Sequence, residues 1–174
     1  IEAIGLPVVM IGGVEADDVI GTLATQASEL NIATLISTSD KDMAQLVNKH
    51  ITLINTMSDT TMDADGVYEK FDVRPDQIVD YLTLVGDASD NIPGVPGVGP
   101  KTAAKWLKKY SDLETLEAHA EEVSGKVGER LRETLNTLPL YKELVTIVRD
   151  VALPVEITHL KLQKPNKEKL YSLY

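Results

Sequence analysis

The stretch from Gly86 to Ala103 carries two kinds of chemistry side by side. Asp87 and Asp90 offer two carboxylates three residues apart, a set that suits a hard divalent cation. The loop that follows, Val95-Pro96-Gly97-Val98-Gly99-Pro100-Lys101, opens a lysine-bearing helix. Such a loop turns backbone N–H groups toward an anion such as phosphate. Metal and phosphate together suggest phosphodiester chemistry, which needs further carboxylates at the same place. Two more acidic groups are available: Glu15, Asp17 and Asp18, and then Asp40 and Asp42.

Each group also has an ordinary explanation. Acids in a first helical turn complement the helix dipole, which would account for Glu15, Asp17 and Asp18. Asp40 could cap a helix with Asp42 in its first turn, and Asp87, Ser89, Asp90 and Asn91 are common turn residues. The lysines after the loop could simply be solvated. Convergence is what favours metal. At about 4 Å and an effective dielectric near 20, each pair of like charges costs roughly 4 kcal/mol. Lys41 is the sole nearby countercharge in sequence. Oxygen-only ligands suit magnesium or manganese, and two such ions can clamp the attacking and leaving oxygens of a phosphoryl displacement. The glycine loop is not a Walker A motif, because Pro100 stands where that motif needs a glycine before its lysine.

The elements that position these residues follow from periodicity. Residues 7–11, 33–37 and 51–54 read as buried strands, with helices at 15–30 and about 41–47 between them. This order implies a parallel sheet, whose strand C-termini share one edge, and so brings Glu15, Asp17, Asp18, Asp40 and Asp42 together. Beyond residue 60 the pattern is helical, at about 63–71, 75–86, 100–110, 112–122, 126–137 and 139–148, with an ambiguous tail from Leu153 to Tyr174. The expected fold class is therefore α/β: a partial parallel sheet with flanking helices, residues 1–60, then a helical region, 61–174. The second carries a helix–hairpin–helix-type loop at 92–105 and packs with the first as one unit. Trp106 sits mid-helix among Ala103, Ala104 and Leu107, as a core residue does.

Composition sets the outer bounds. The 174 residues suit one domain or one with a small appendage. With no cysteine, disulfides and thiolate zinc sites are excluded, and His50, His119 and His159 match no zinc spacing. No stretch is apolar enough to span a membrane. The net charge of -10 argues against nucleic acid, but Asn91 to Ser111 contains no acid and four lysines, Lys101, Lys105, Lys108 and Lys109.

Three motifs in order, Gly13-Val14-Glu15-Ala16-Asp17-Asp18, Ser37-Thr38-Ser39-Asp40-Lys41-Asp42 and Gly86 through Gly99, resemble the 5′-nuclease domain of bacterial DNA polymerase I, in the flap-endonuclease superfamily. The resemblance covers essentially the whole chain. It implies a PIN-like nuclease core that holds two magnesium or manganese ions. Glu15, Asp17 and Asp18 would serve one ion, and Asp40, Asp42, Asp87 and Asp90 the other. Gly94, Gly97, Val98, Gly99, Lys101, Thr102 and Lys105 would grip the backbone of DNA. The implied activity is 5′→3′ hydrolysis of 5′ flaps and RNA primers by a monomer in the bacterial cytoplasm, at the nucleoid. The family also carries two metal-site aspartates and a helical arch upstream. The chain starts at Ile1, so the resemblance implies a fragment lacking them and poorly active alone. Two rival readings compete. Asp40-Lys41-Asp42 fits the Asp-x-Asp motif of haloacid-dehalogenase-type phosphatases, though that leaves the hairpin loop unexplained. A non-catalytic DNA-binding module would leave the acids without purpose.

Overall fold

A computed structural model describes residues 1–172. The chain divides into two compact units: Ile1–Ile32 with the stretch from Val148 on, and Ala33–Ile147.

In the first unit, α1 (Ala16–Glu29) buries Val19, Thr22, Ala24 and Ala27. The returning segment is tied to it through backbone donors: Val148 N–H donates to Asp18 Oδ1 at 2.9 Å and Val151 N–H to Thr22 Oγ1 at 3.1 Å. Further bonds run from Gln163 N–H to the Gly5 carbonyl and from Asn166 N–H to that of Ala3, both 2.8 Å. Residues 7–11 are not a strand, contrary to the expectation. No ladder involves them among the described residues, Pro7 has no N–H to give one, and Val8 and Met10 are exposed. An apolar run becomes a strand only when a neighbour takes up its backbone groups.

The second unit holds the sheet, which is mixed rather than wholly parallel. Strand β1 (Thr34–Ser37) pairs in parallel with β2 (Ile51–Asn55), from Thr34 opposite Ile51 to Ser37 opposite Ile54. Strand β3 (Thr60–Met62) then pairs antiparallel with β2, Leu53 opposite Met62. Asn55 makes this hairpin: its side chain accepts the N–H of Met57 at 3.0 Å, and Asp59 takes a left-handed φ of 51°. The connection between β1 and β2 contains a 3-10 turn, Asp42–Leu46, rather than an α-helix. Its Met43, Ala44, Gln45 and Leu46 are all buried.

The helices follow as α2 (Ala64–Phe71), α3 (Ile78–Val85), α4 (Pro100–Tyr110), α5 (Leu113–Ala118), α6 (Gly125–Thr134) and α7 (Leu138–Val145). In the first unit, the ambiguous tail forms a 3-10 turn, Ile157–His159, and a short helix, α8 (Lys167–Ser172). Buried α3 is central, with Ile78, Leu82 and Leu84 hidden from water. Two buried amides cross-link segments of the second unit. Gln77 Nε2 donates to the carbonyls of Leu107 and Ser111, and Gln45 bridges the Val145 carbonyl and the Ile147 N–H. Asp80 on α3 accepts the Leu113 N–H at 3.0 Å and pairs with Lys142 on α7 at 2.9 Å, so a buried carboxylate joins three helices. Trp106 is buried, as its position implied.

Candidate metal centre and nucleic-acid interface

The turn after β1 is built by its own polar side chains. Thr38 Oγ1 accepts the Asp40 N–H at 3.0 Å, and Asp40 Oδ1 accepts the Asp42 N–H at 2.9 Å. One Asp40 oxygen thus closes a local turn onto Asp42, although the N-cap of the 3-10 turn is Lys41 rather than Asp40, and Asp42 is turned inward at its head. Asp42 lies at the C-terminal end of a parallel strand, where that topology places ligands.

The second segment of the site follows the end of α3. Gly86 ends that helix at φ 81°, and Asp87 and Ile92 then exchange both backbone hydrogen bonds at 2.8 and 2.7 Å. This closes the loop that carries Asp90, with Asn91 in the left-handed region at φ 57°. Only glycines fit here: a Cβ on Gly86 would meet the Ile92 carbonyl oxygen at 2.4 Å, and one on Gly94 would meet the Gly86 nitrogen at 2.5 Å.

These two segments bring Asp42, Asp87 and Asp90 together. One oxygen from each lies within 4.8 Å of the others. Asp42 Oδ1 is buried without a hydrogen-bond partner, the kind of orphan a cation satisfies. Burial, followed by the charge of Asp40, pushes the Asp42 carboxyl up to about 6, and Lys41 only partly offsets this. Asp87 goes the other way. It is 5% exposed, its Oδ1 accepts the Ser89 N–H at 2.7 Å, and its Oδ2 pairs with Lys41 Nζ at 2.6 Å. The Lys41 bond lowers its carboxyl below the usual range, against its burial. The donor set is all oxygen and fits magnesium or manganese.

Glu15, Asp17 and Asp18 stand at the start of α1 in the first unit. The strand that was to set them on the sheet edge is absent, so the topological argument extends to Asp40 and Asp42 alone. Glu15 occupies the N-cap position without a side-chain capping bond, and one Asp18 oxygen is taken by Val148.

The glycine loop closes on itself through Val98 N–H to the Val95 carbonyl at 2.9 Å, and Gly99 caps α4 with Pro100 first in the helix. Its residues divide between two jobs. Gly94, Val95 and Val98 are buried, whereas Gly97, Lys101 and Lys105 face water. The lysines divide too. Lys108 pairs with Asp72 and lies over the Tyr68 ring, and Lys109 donates to the Tyr110 hydroxyl at 2.7 Å. Lys101 and Lys105 have no ion-pair partner among the described residues. Sequence reasoning missed Arg130, whose Nη1 donates to the Pro96 carbonyl at 3.2 Å from α6. A separation of 34 residues leaves no local signal for that contact.

Comparison with known proteins places the chain in a family. Residues 1–72 match the family described as 5′-3′ exonuclease, N-terminal resolvase-like domain, and residues 73–168 match 5′-3′ exonuclease, C-terminal SAM fold. The chain belongs to the 5′-3′ exonuclease family. DNA polymerase I of Pseudomonas aeruginosa is 48% identical over 182 residues, covering 100% of this chain and 20% of that protein. The 5′-3′ exonuclease of Buchnera aphidicola is 40% identical over 172 residues, covering 95% of this chain and 57% of that one. The chain thus spans about a fifth of the length of the polymerase relative it matches. In structure it is similar to bacteriophage T5 flap endonuclease, solved as a pseudo-enzyme-product complex with DNA and metal ions. That likeness has a TM-score of 0.73 at 21% identity and covers 79% of this chain and 52% of that one. Among the described residues, no helix is long and apolar enough to cross a membrane.

Proposed function

We propose that this chain is the metal-dependent 5′→3′ exonuclease and flap-endonuclease part of a DNA polymerase I, acting as a monomer on 5′ flaps and RNA primers in the bacterial cytoplasm. The observation that carries the metal reading is the meeting of Asp42, Asp87 and Asp90 around a buried, unpartnered Asp42 oxygen, in a family of 5′-3′ exonucleases. These three, with Asp40, would hold one magnesium or manganese ion. Glu15, Asp17 and Asp18 would serve a second. When bound, such ions activate water and stabilise the charge that develops on the transferred phosphoryl group. The carboxylates themselves hold and orient the ions and need carry no proton. Gly97, Gly99, Lys101, Thr102 and Lys105 would hold the DNA backbone through N–H groups and charge without reading sequence, and Gly94 and Val98 would shape the loop behind them. That a T5 flap endonuclease of this fold was solved with DNA and metal ions supports the assignment.

The test is cleavage of a 5′-labelled flap duplex with manganese, alongside calorimetric manganese uptake. Assayed within the full-length polymerase, wild type is expected to take up manganese and release products with 5′-phosphates, and Asp87→Ala is expected to lose both. Full cleavage by Asp87→Ala, or a wild type that takes up no manganese, would overturn the reading. Trapping of an aspartyl-phosphate on Asp40 would favour the phosphatase alternative instead.

A further inference from the structure

Lys41 stands between two acids of the candidate metal centre, Asp40 and Asp42, and its ammonium reaches across to a third. The contact with Asp87 is short, 2.6 Å, and its two partners differ in freedom: Asp87 is 5% exposed and Lys41 41%. Asp87 cannot move out to water, since its backbone is locked to Ile92 and its other oxygen to Ser89. Lys41 can. Its four-carbon stem is flexible, and its ammonium is a compact charge that water solvates readily. Asp87 is also one of the three carboxylates whose oxygens converge. A dication held there would sit against the ammonium, and the two positive charges would contest one carboxylate.

We propose that Lys41 is the built-in counter-cation of this site and sets how tightly it takes a divalent metal, its ammonium neutralising Asp87 until the metal displaces it. The proposal rests on the metal reading above. It gives two jobs to one side chain. Without metal, Lys41 keeps a buried carboxylate from standing as an unpaired charge, which is strongly destabilising. With metal, it exchanges one interaction for solvation and so raises the concentration of cation needed to fill the site. A purely structural lysine would do only the first job.

The two roles separate in Lys41→Met, which keeps the apolar stem and removes the charge. Manganese alone is the probe, titrated calorimetrically into the chain, with thermal melts before and after. Lys41→Met should melt lower than wild type without metal, yet bind manganese more tightly, by on the order of tenfold, the usual scale for one close but partly solvated charge. Lys41→Arg, which keeps the charge, should return both values toward wild type. An affinity in Lys41→Met equal to or weaker than wild type would overturn the proposal while leaving the metal reading intact. No manganese uptake by wild type would sink the metal reading, and this proposal with it.

Discussion

At the scale of single residues, the site is a contest over which carboxylates ionise. Asp42 and Asp87 are neighbours with opposite perturbations: burial pushes the first up to about 6, and Lys41 holds the second low. The sign of the consequence for Asp42 can be worked out. A carboxyl whose folded-state pKa is raised binds a proton more readily folded than unfolded, so its contribution favours folding at acid pH. That contribution is lost between about pH 4 and pH 6, and above this range the ionised group destabilises the fold. Asp42→Asn should therefore raise metal-free stability at pH 7, by on the order of 1–3 kcal/mol, and the gain should fade as pH falls toward about 4. Denaturant unfolding of both proteins across that range checks it. A gain that does not vary with pH would mean that Asp42 is not held at a raised pKa. In manganese the ranking should reverse, because the amide is the poorer ligand.

At the scale of elements, α4 has a buried face that serves the fold and an exposed face that the proposed function would give to DNA. Its inner face, Ala103, Ala104, Trp106 and Leu107, is buried. Its outer lysines are not equivalent, since Lys108 and Lys109 are engaged by Asp72 and Tyr110, whereas Lys101 and Lys105, one turn apart nearest the glycine loop, are not. Under the proposed function, the phosphate-gripping role would fall to the first turn and a half of the helix, where N–H groups lack intrahelical partners. Replacing Lys101 and Lys105 together by alanine should weaken duplex binding equally for unrelated sequences and lower the slope of log affinity against log salt by about 2. The same change at Lys108 should chiefly reduce stability. If the double variant keeps the wild-type slope, the lysines do not touch phosphate.

For the molecule as a whole, a part of the negative charge is gathered in one unit. Asp40, Asp42, Asp87 and Asp90 all belong to the unit Ala33–Ile147, and Lys41 is the cation paired with them among the described residues. A metal bound only by the folded state stabilises it by mass action, about 2.7 kcal/mol at 100 times the dissociation constant. Manganese should therefore raise the melting temperature, and Asp87→Ala should abolish most of the rise. Hydrogen exchange would locate the effect. Slowed exchange is expected at Asp42 to Leu46 and Asp87 to Ile92, and protection confined to other segments would place the cation elsewhere.

Much of this was legible in the sequence because it is written locally. Capping signals, first-turn prolines and 3.6-residue periodicity place α1, α2 and α4 within a residue of their expected bounds. Motif spacing names Asp42, Asp87 and Asp90 before any coordinates, but only among seven candidate acids. Pairing is different, because a strand exists only through its neighbour. Residues 7–11 carry a strand's composition without a ladder, while Thr60–Met62 carries little of it and is a strand because β2 offers an edge and Asn55 turns the chain back. Charge assignment is likewise non-local. Lys41 and Asp87 are far apart in sequence, and only folding sets them 2.6 Å apart and buries one of them. The sequence by itself determined which residues could do chemistry and which helices would carry them. Tertiary structure decided which carboxylates meet, which of them is left without a partner and which lysines remain for a ligand, because burial, like-charge proximity and strand pairing are properties of distances between segments that the order of residues does not contain.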